Sequence, residues 1–387
     1  MLTKNIKFKK FNLFGKKFKK IKNLNYYLKT IDNEVIRSLS NSYKYSYLKK
    51  NIHKYKKAKL FRVIGMGGSI LGANAIYDFL YNKINKKFVF IDNLKVNEKK
   101  SIYKKKPVNL VISKSGNTIE TIINVNLLLK KNEENIFITE KKNNYLNNLA
   151  KELKANIISH NNYIGGRYSV LSEVGMLPAE LMGLNEKKFK QYNYLINKKS
   201  FLNSLVDNVS RTICLVQNKK FNSVILNYDE KSDNLFKWYQ QLIAESLGKK
   251  SKGILPIISS MPKDNHSLMQ LYLDGPSNYF YTFFSVKNKD SLKINNNTVL
   301  SSHKYLKNKD INKIIHLQKK ATENVFFKKK IPFRSFEVNK RDEKTLGELF
   351  CFFILETILL GKALNVNPYD QPSVELIKIE TKKLLIN

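Results

Sequence analysis

Cysteine is almost missing from this chain: among 387 residues there are two, Cys214 and Cys351. Their spacing suits no metal site and both stand in apolar surroundings, so they read as buried free thiols in a reducing, cytoplasmic compartment. Long apolar runs are missing as well. The nearest, LFCFFILETILLG at 349–361, is short and broken by Glu356 and Thr357. It reads as a buried helix, which leaves no membrane span. The basic N-terminus, MLTKNIKFKKFNLFGKKFKK, lacks an uninterrupted apolar core and a small-residue cleavage site, so it is no secretory signal. Histidines number five, and acidic residues 31 against 70 Lys and Arg, a net charge of +39.

That charge invites a nucleic-acid or anionic-membrane partner. The lysines, however, run along the whole chain, and Asn and Ile are abundant beside them. All three are encoded by A/T-rich codons, so one compositional drift explains them together. Clustered basic patches interleaved with aromatics in a known module are lacking, which argues against nucleic acid. A positive field still favours an anionic small substrate in any cleft.

The apolar fraction, 42%, is that of a globular protein, and the length suits one large or two medium domains. Residues 1–45 read as a basic helical or irregular extension. From Leu60 the chain alternates strand and helix signals: LFRVIG, FVFIDN, VNLVIS and NIFITE as strands, with helical stretches between. The pattern restarts after residue 185, with a helical stretch from Glu186 past Cys214. SVILNYD, GILPIIS, YFYTFFSV and FRSFEV then follow as strands, and an apolar helix spans Thr345 to Leu360. Alternation of this kind predicts an α/β fold with mainly parallel sheets flanked by helices. The expected parse is 1–45 extension, 46–185 first domain, 186–365 second domain, and 366–387 a C-terminal segment and helix.

Six stretches carry candidate chemistry. GMGGSILG (65–72) follows a strand with Gly65, Gly67, Gly68 and Ser69, a loop that either brings backbone N–H groups to a ligand or makes a tight turn. SKSGNTIET (113–121) sets Ser113, Lys114, Ser115, Thr118 and Thr121 at the mouth of a helix, where hydroxyls and N–H groups suit a phosphate. The plain alternative, that Ser115 or Asn117 caps the helix, needs one such residue and not four. Arg167, behind paired glycines in IGGRYS, offers a fixed cationic fork to developing negative charge, or a surface salt bridge. Glu245 in WYQQLIAESLGK shares a helix face with Trp238, which suits a general base; a bridge to Lys249 is the alternative. His266 lies in a polar turn fit for acid–base work or surface decoration. In NPYDQPSVELIK, prolines bracket Asp370 and Gln371 ahead of Lys378.

Taken in order, these six stretches resemble the glucose-6-phosphate isomerase family from about Leu60 to Lys378. The resemblance implies two sugar-isomerase (SIS) domains and interconversion of glucose 6-phosphate with fructose 6-phosphate, with no metal and no redox cofactor. It gives Ser113, Lys114 (by its backbone), Ser115, Thr118 and Thr121 to the substrate phosphate, with Gly68 and Ser69 nearby. Glu245 would be the base between C1 and C2, Arg167 and Gln371 would stabilise the enediolate, and His266 and Lys378 would assist ring opening. It also implies a homodimer in which the histidine crosses to the partner's site. The chain departs from the family pattern at Asn265, where glutamine is expected, and at Ile377, where glycine is usual. An enzyme that also accepts mannose 6-phosphate, or a non-catalytic phosphosugar-binding SIS protein, are the alternative readings.

Overall fold

The computed structural model describes residues 2–14, 20–95, 106–288 and 291–386. Two five-stranded sheets organise it. In the first, β2 (Leu60–Gly65), β3 (Lys87–Ile91), β4 (Val108–Ile112), β5 (Asn135–Thr139) and β6 (Asn156–Ser159) are all parallel, in the spatial order β3-β2-β4-β5-β6. Strands β2, β4 and β5 are buried along their whole length, as near-continuous apolar runs of interior parallel strands require. Successive connections run from β2 to β3 on one side and then to β4 on the other. The sheet therefore has a switch point between β2 and β4, where Gly65 pairs with Ile112 at the carboxyl ends. Open α/β sheets collect ligands at such a crevice.

The second sheet holds β7 (Asn222–Asn227), β8 (Leu255–Ser260), β9 (Tyr279–Val286) and β10 (Phe333–Val338) in parallel. Its fifth strand corrects the reading of the N-terminal extension. Ile6–Lys9 forms β1, antiparallel to β10 with Ile6 opposite Val338, in a segment expected to be helical or irregular. The spatial order is then β1-β10-β9-β7-β8. Four residues of alternating Ile-Lys-Phe-Lys are too short a signal to declare a strand. The pairing partner lies more than 300 residues away, and packing of Phe8 on Phe336, with ring centroids 4.6 Å apart, completes it. The same extension contributes the helices Leu24–Thr30 and Glu34–Ser38, while residues 15–19 lie outside the described residues. The helical stretch after Glu186 is divided into a 3-10 turn (Glu186–Phe189), a short helix (Tyr192–Ile196) and a long one (Lys199–Gln217).

The apolar C-terminal helix runs Glu343–Leu364 and is buried without a break from Thr345 to Gly361. Glu356, which interrupts its apolar run, is compensated in the core by Arg334 of β10, Asn208 and the Tyr239 hydroxyl. A buried carboxylate persists only with partners of this kind. Both cysteines are buried and make no disulfide among the described residues, and burial pushes the Cys351 thiol up to about 12. Among the described residues, no helix is long and apolar enough to cross a membrane.

Candidate active site

The two loops at the switch point are the first parts of the site. After β2 the chain turns through a 3-10 segment, Gly67–Ser69, with Gly68 and Ser69 buried. A side chain on Gly68 would place its Cβ 2.1 Å from the Gly166 carbonyl carbon and 2.4 Å from the Arg167 nitrogen. The absence of a Cβ is thus what lets this loop lie against the turn that carries Arg167.

After β4 comes the hydroxyl-rich loop. Ser113 is buried, and its Oγ lies 3.0 Å from Thr118 Oγ1. Thr121, one turn into the helix Ile119–Leu128, is fully buried, and its Oγ1 has no hydrogen-bond partner among the described residues. Gly116 takes a left-handed φ of 67° and abuts the Asn144 side chain, which sharpens the turn. The capping alternative does not hold here. Thr118 is the N-cap residue and its side chain makes no cap bond, while Asn117 Oδ1 accepts from Tyr145 N at the start of the next helix. Ser115 is exposed and its Oγ accepts from Asn117 N. The Lys114 ammonium donates to Asn162 O at 2.8 Å and lies 3.6 Å from Glu140, so the side chain is engaged elsewhere.

Arg167 sits in the 3-10 turn Gly166–Leu171 and is buried, which removes the surface salt-bridge reading. Its Nη1 donates to Glu245 Oε2 at 3.3 Å and to Gln371 Oε1. Nη2 donates to the carbonyls of Pro368 (2.7 Å) and Asp370 (3.0 Å), and Nε to Ser246 Oγ (2.7 Å). One guanidinium therefore joins the first lobe, the helix Asp233–Leu247 and the C-terminal segment.

Glu245 lies near the end of the helix Asp233–Leu247, whose Leu235, Trp238 and Leu242 are buried. Its side chain is 28% exposed, enough to meet a ligand, and the Gln241 amide donates to its Oε1 at 2.9 Å. The alternative bridge to Lys249 is not made: Lys249 pairs with Asp370 at 2.7 Å. That contact holds the Asp370 carboxyl below its ordinary range and ties down the segment leading to Gln371.

The structure thus brings Arg167, Glu245 and Gln371 together, seats Gly68 against the backbone of the Arg167 turn, and places Ser113, Thr118 and Thr121 on the loop after β4. It does not bring His266 or Lys378 to the cluster within this chain. His266 is exposed on a 3-10 turn (Lys263–His266) after β8. Lys378 is exposed on the helix Val374–Ile386 and donates to Glu375 at 2.6 Å.

Three contributors were missed in the sequence. Gln241 stands one helical turn before Glu245, a spacing that could have nominated it. Ser246 and Tyr168 are each adjacent to a nominated residue, and only the tertiary contacts give them a role.

A family model described as phosphoglucose isomerase matches residues 36–386. The glucose-6-phosphate isomerase of Methanocaldococcus jannaschii is 33% identical over 358 residues, covering 86% of each chain. That of Mycoplasmopsis pulmonis is 33% identical over 365 residues, covering 87% of this chain and 84% of its own. In fold, a hypothetical protein of Thermus thermophilus superposes with a TM-score of 0.81 at 22% identity, over 94% of both chains. A glucose-6-phosphate isomerase of Chlamydia trachomatis superposes with a TM-score of 0.71 at 16% identity, over 97% of this chain and 80% of that one. The chain belongs to the phosphoglucose isomerase family.

Proposed function

We propose that this isomerase interconverts glucose 6-phosphate and fructose 6-phosphate at the cleft between the β2 and β4 loops and the Arg167–Glu245–Gln371 cluster. The observation that carries the reading is the Arg167 guanidinium shared between a half-open carboxylate and an amide oxygen, beside a loop of converging hydroxyls. A phosphate suits the Ser113–Thr118–Thr121 hydroxyls and the first turn of the Ile119–Leu128 helix, because they supply donors and a positive dipole end. Held there, the phosphoryl end is remote from C1 and C2, so its binding energy can position the reacting carbons.

Glu245 removes the proton from C2 of the open-chain aldose and returns it to C1, and the reverse path runs from the ketose. A hydrogen alpha to a carbonyl is weakly acidic, so the enediolate needs fixed positive charge where the oxygen becomes anionic. The Arg167 fork, already aimed and desolvated, supplies it. Gln371 adds a polar contact on the same side. His266 and Lys378 assist ring opening, with the histidine arriving from a second copy of the chain; its exposure is compatible with that arrangement. A coupled assay on fructose 6-phosphate tests the reading: turnover is expected from the native chain, and its loss in Glu245→Gln.

A further inference from the structure

Arg167 is held by more than its charge partner. Its Nε donates to Ser246 Oγ at 2.7 Å, Ser246 Oγ lies 2.9 Å from the Tyr168 hydroxyl, Tyr168 donates to Pro368 O at 3.0 Å, and Pro368 O accepts from Arg167 Nη2 at 2.7 Å. These four bonds close a ring. Arg167, Tyr168 and Ser246 are each at most 1% exposed. A carbonyl only accepts and a guanidinium only donates, so the directions are forced. Tyr168 gives its single proton to Pro368 O, and Ser246, accepting from Arg167, gives its own to the Tyr168 oxygen. Burial pushes the Tyr168 phenol up to about 12, which keeps it a donor. The same helix adds a fifth tie, Trp238 Nε1 to Arg167 O at 3.1 Å.

We propose that Ser246 is a positioning residue, whose hydroxyl closes this ring and so aims the Arg167 fork while fixing the Pro368–Gln371 segment against it. The proposal rests on the reading of Arg167 as partner of the enediolate. Its physical basis is the rigidity of the guanidinium. With Nε and Nη2 both occupied by buried acceptors, the plane of the fork is fixed, and Nη1 alone remains to face Glu245 and Gln371. Placing Ser246 next to Glu245 on one helix makes a single element set both the base and the cation it works with. A hydroxyl acting in this way affects the transition state more than the binding of the phosphate end.

The test compares two ligands on Ser246→Ala and on the milder Tyr168→Phe. Arabinonate 5-phosphate carries a carboxylate where the enediolate forms, whereas glucitol 6-phosphate keeps the phosphate and has no such charge. Calorimetry is expected to show the aldonate weakened about 10-fold or more in Ser246→Ala, with glucitol 6-phosphate within about threefold of wild type. Assays are expected to show kcat lower by about 10- to 100-fold with KM little changed. Tyr168→Phe shifts both in the same direction by less, and the double variant is no worse than Ser246→Ala, since both residues belong to one ring. Equal weakening of the two ligands assigns Ser246 a merely structural role and overturns the proposal. So does unchanged aldonate binding, or losses that multiply in the double variant. If Ser246→Ala does not fold, the ligand ratio in Tyr168→Phe decides. Wild-type turnover checks the underlying reading separately, because the ligand ratios are binding measurements.

Discussion

Arg167 Nη1 lies 3.3 Å from Glu245 Oε2, although the two residues come from different lobes of the chain. The arginine side chain is fully buried and the glutamate is 28% exposed. The cation is thus the fixed member of the pair and the carboxylate the one that can reach a ligand. In the proposed reaction the cation then stands ready for the charge that proton removal creates.

Replacing Glu245 by glutamine keeps the size of the side chain and removes the proposed base. Steady-state assays on fructose 6-phosphate are expected to give a kcat lower by about 10³- to 10⁴-fold. The KM is expected to stay near that of the wild type, because the proposed phosphate grip lies in the Ser113–Thr121 loop. Exchange of the C1 hydrogen of fructose 6-phosphate with solvent, followed by NMR, should vanish in parallel. Comparable activity in Glu245→Gln would remove this residue from the base role.

Thr121 separates binding from stability. Its buried Oγ1 lacks a partner among the described residues, a condition that costs about 1–3 kcal/mol in the folded state. Thr121→Val is nearly isosteric and removes that cost, so the melting temperature should stay level or rise. If the hydroxyl serves the phosphate, KM should climb about tenfold for loss of one charge-assisted bond. A raised melting temperature with an unchanged KM would place the phosphate elsewhere.

How much of this was legible in the sequence follows from the range of each contact. Strands β2, β4 and β5 declare themselves as short apolar runs ahead of polar turns, because their burial is a local property of composition. SKSGNTIET stands out for the same local reason, since its hydroxyls lie close in sequence, and Ser113 Oγ meets Thr118 Oγ1 at 3.0 Å. Strand β1 was not, since four alternating residues acquire meaning only against β10. Ser246 was hidden for a related reason. A serine beside a glutamate has no distinguishing local signal, and its role is defined by Arg167 and Tyr168, more than 70 residues earlier.

His160 gives a pH dependence of stability. It is 1% exposed, with Nδ1 2.9 Å from Asn161 O and Nε2 unpartnered among the described residues. Burial holds its pKa below the ordinary value, against the opposing pull of Glu173, the Asn161 carbonyl and Glu140, while Lys114 adds to the lowering. The folded state therefore binds fewer protons than the unfolded state, and stability rises with pH across this window. Stability from this group is complete above about pH 6.5, the unfolded value. It is lost as the pH falls from there through the depressed folded value. Melting curves between pH 7.5 and 5.5 (roughly spanning the unfolded value) should show a decline that is shallower in His160→Leu. An equal slope in both proteins would assign the decline to other groups.

Within one chain His266 is exposed on its turn, and the helix Val374–Ile386 presents Leu376, Ile377, Ile379, Leu384, Leu385 and Ile386 to solvent. An apolar helix of that kind favours burial against a second copy, which the proposed homodimer provides. If the partner's His266 completes each site, Glu245→Gln and His266→Asn are separately inactive as homodimers, yet complement when mixed. A heterodimer has one site with both defects and one with neither. Unfolding and refolding an equal mixture should therefore restore about a quarter of wild-type activity, half the dimers being mixed and each having one intact site. Glu245→Gln mixed with Arg167→Ala should restore nothing, since both lesions then fall in the same chain's half of the site. No recovery in the first mixture would show that His266 serves its own chain or no site at all, and recovery in the control would show that the complementation does not depend on a crossing His266.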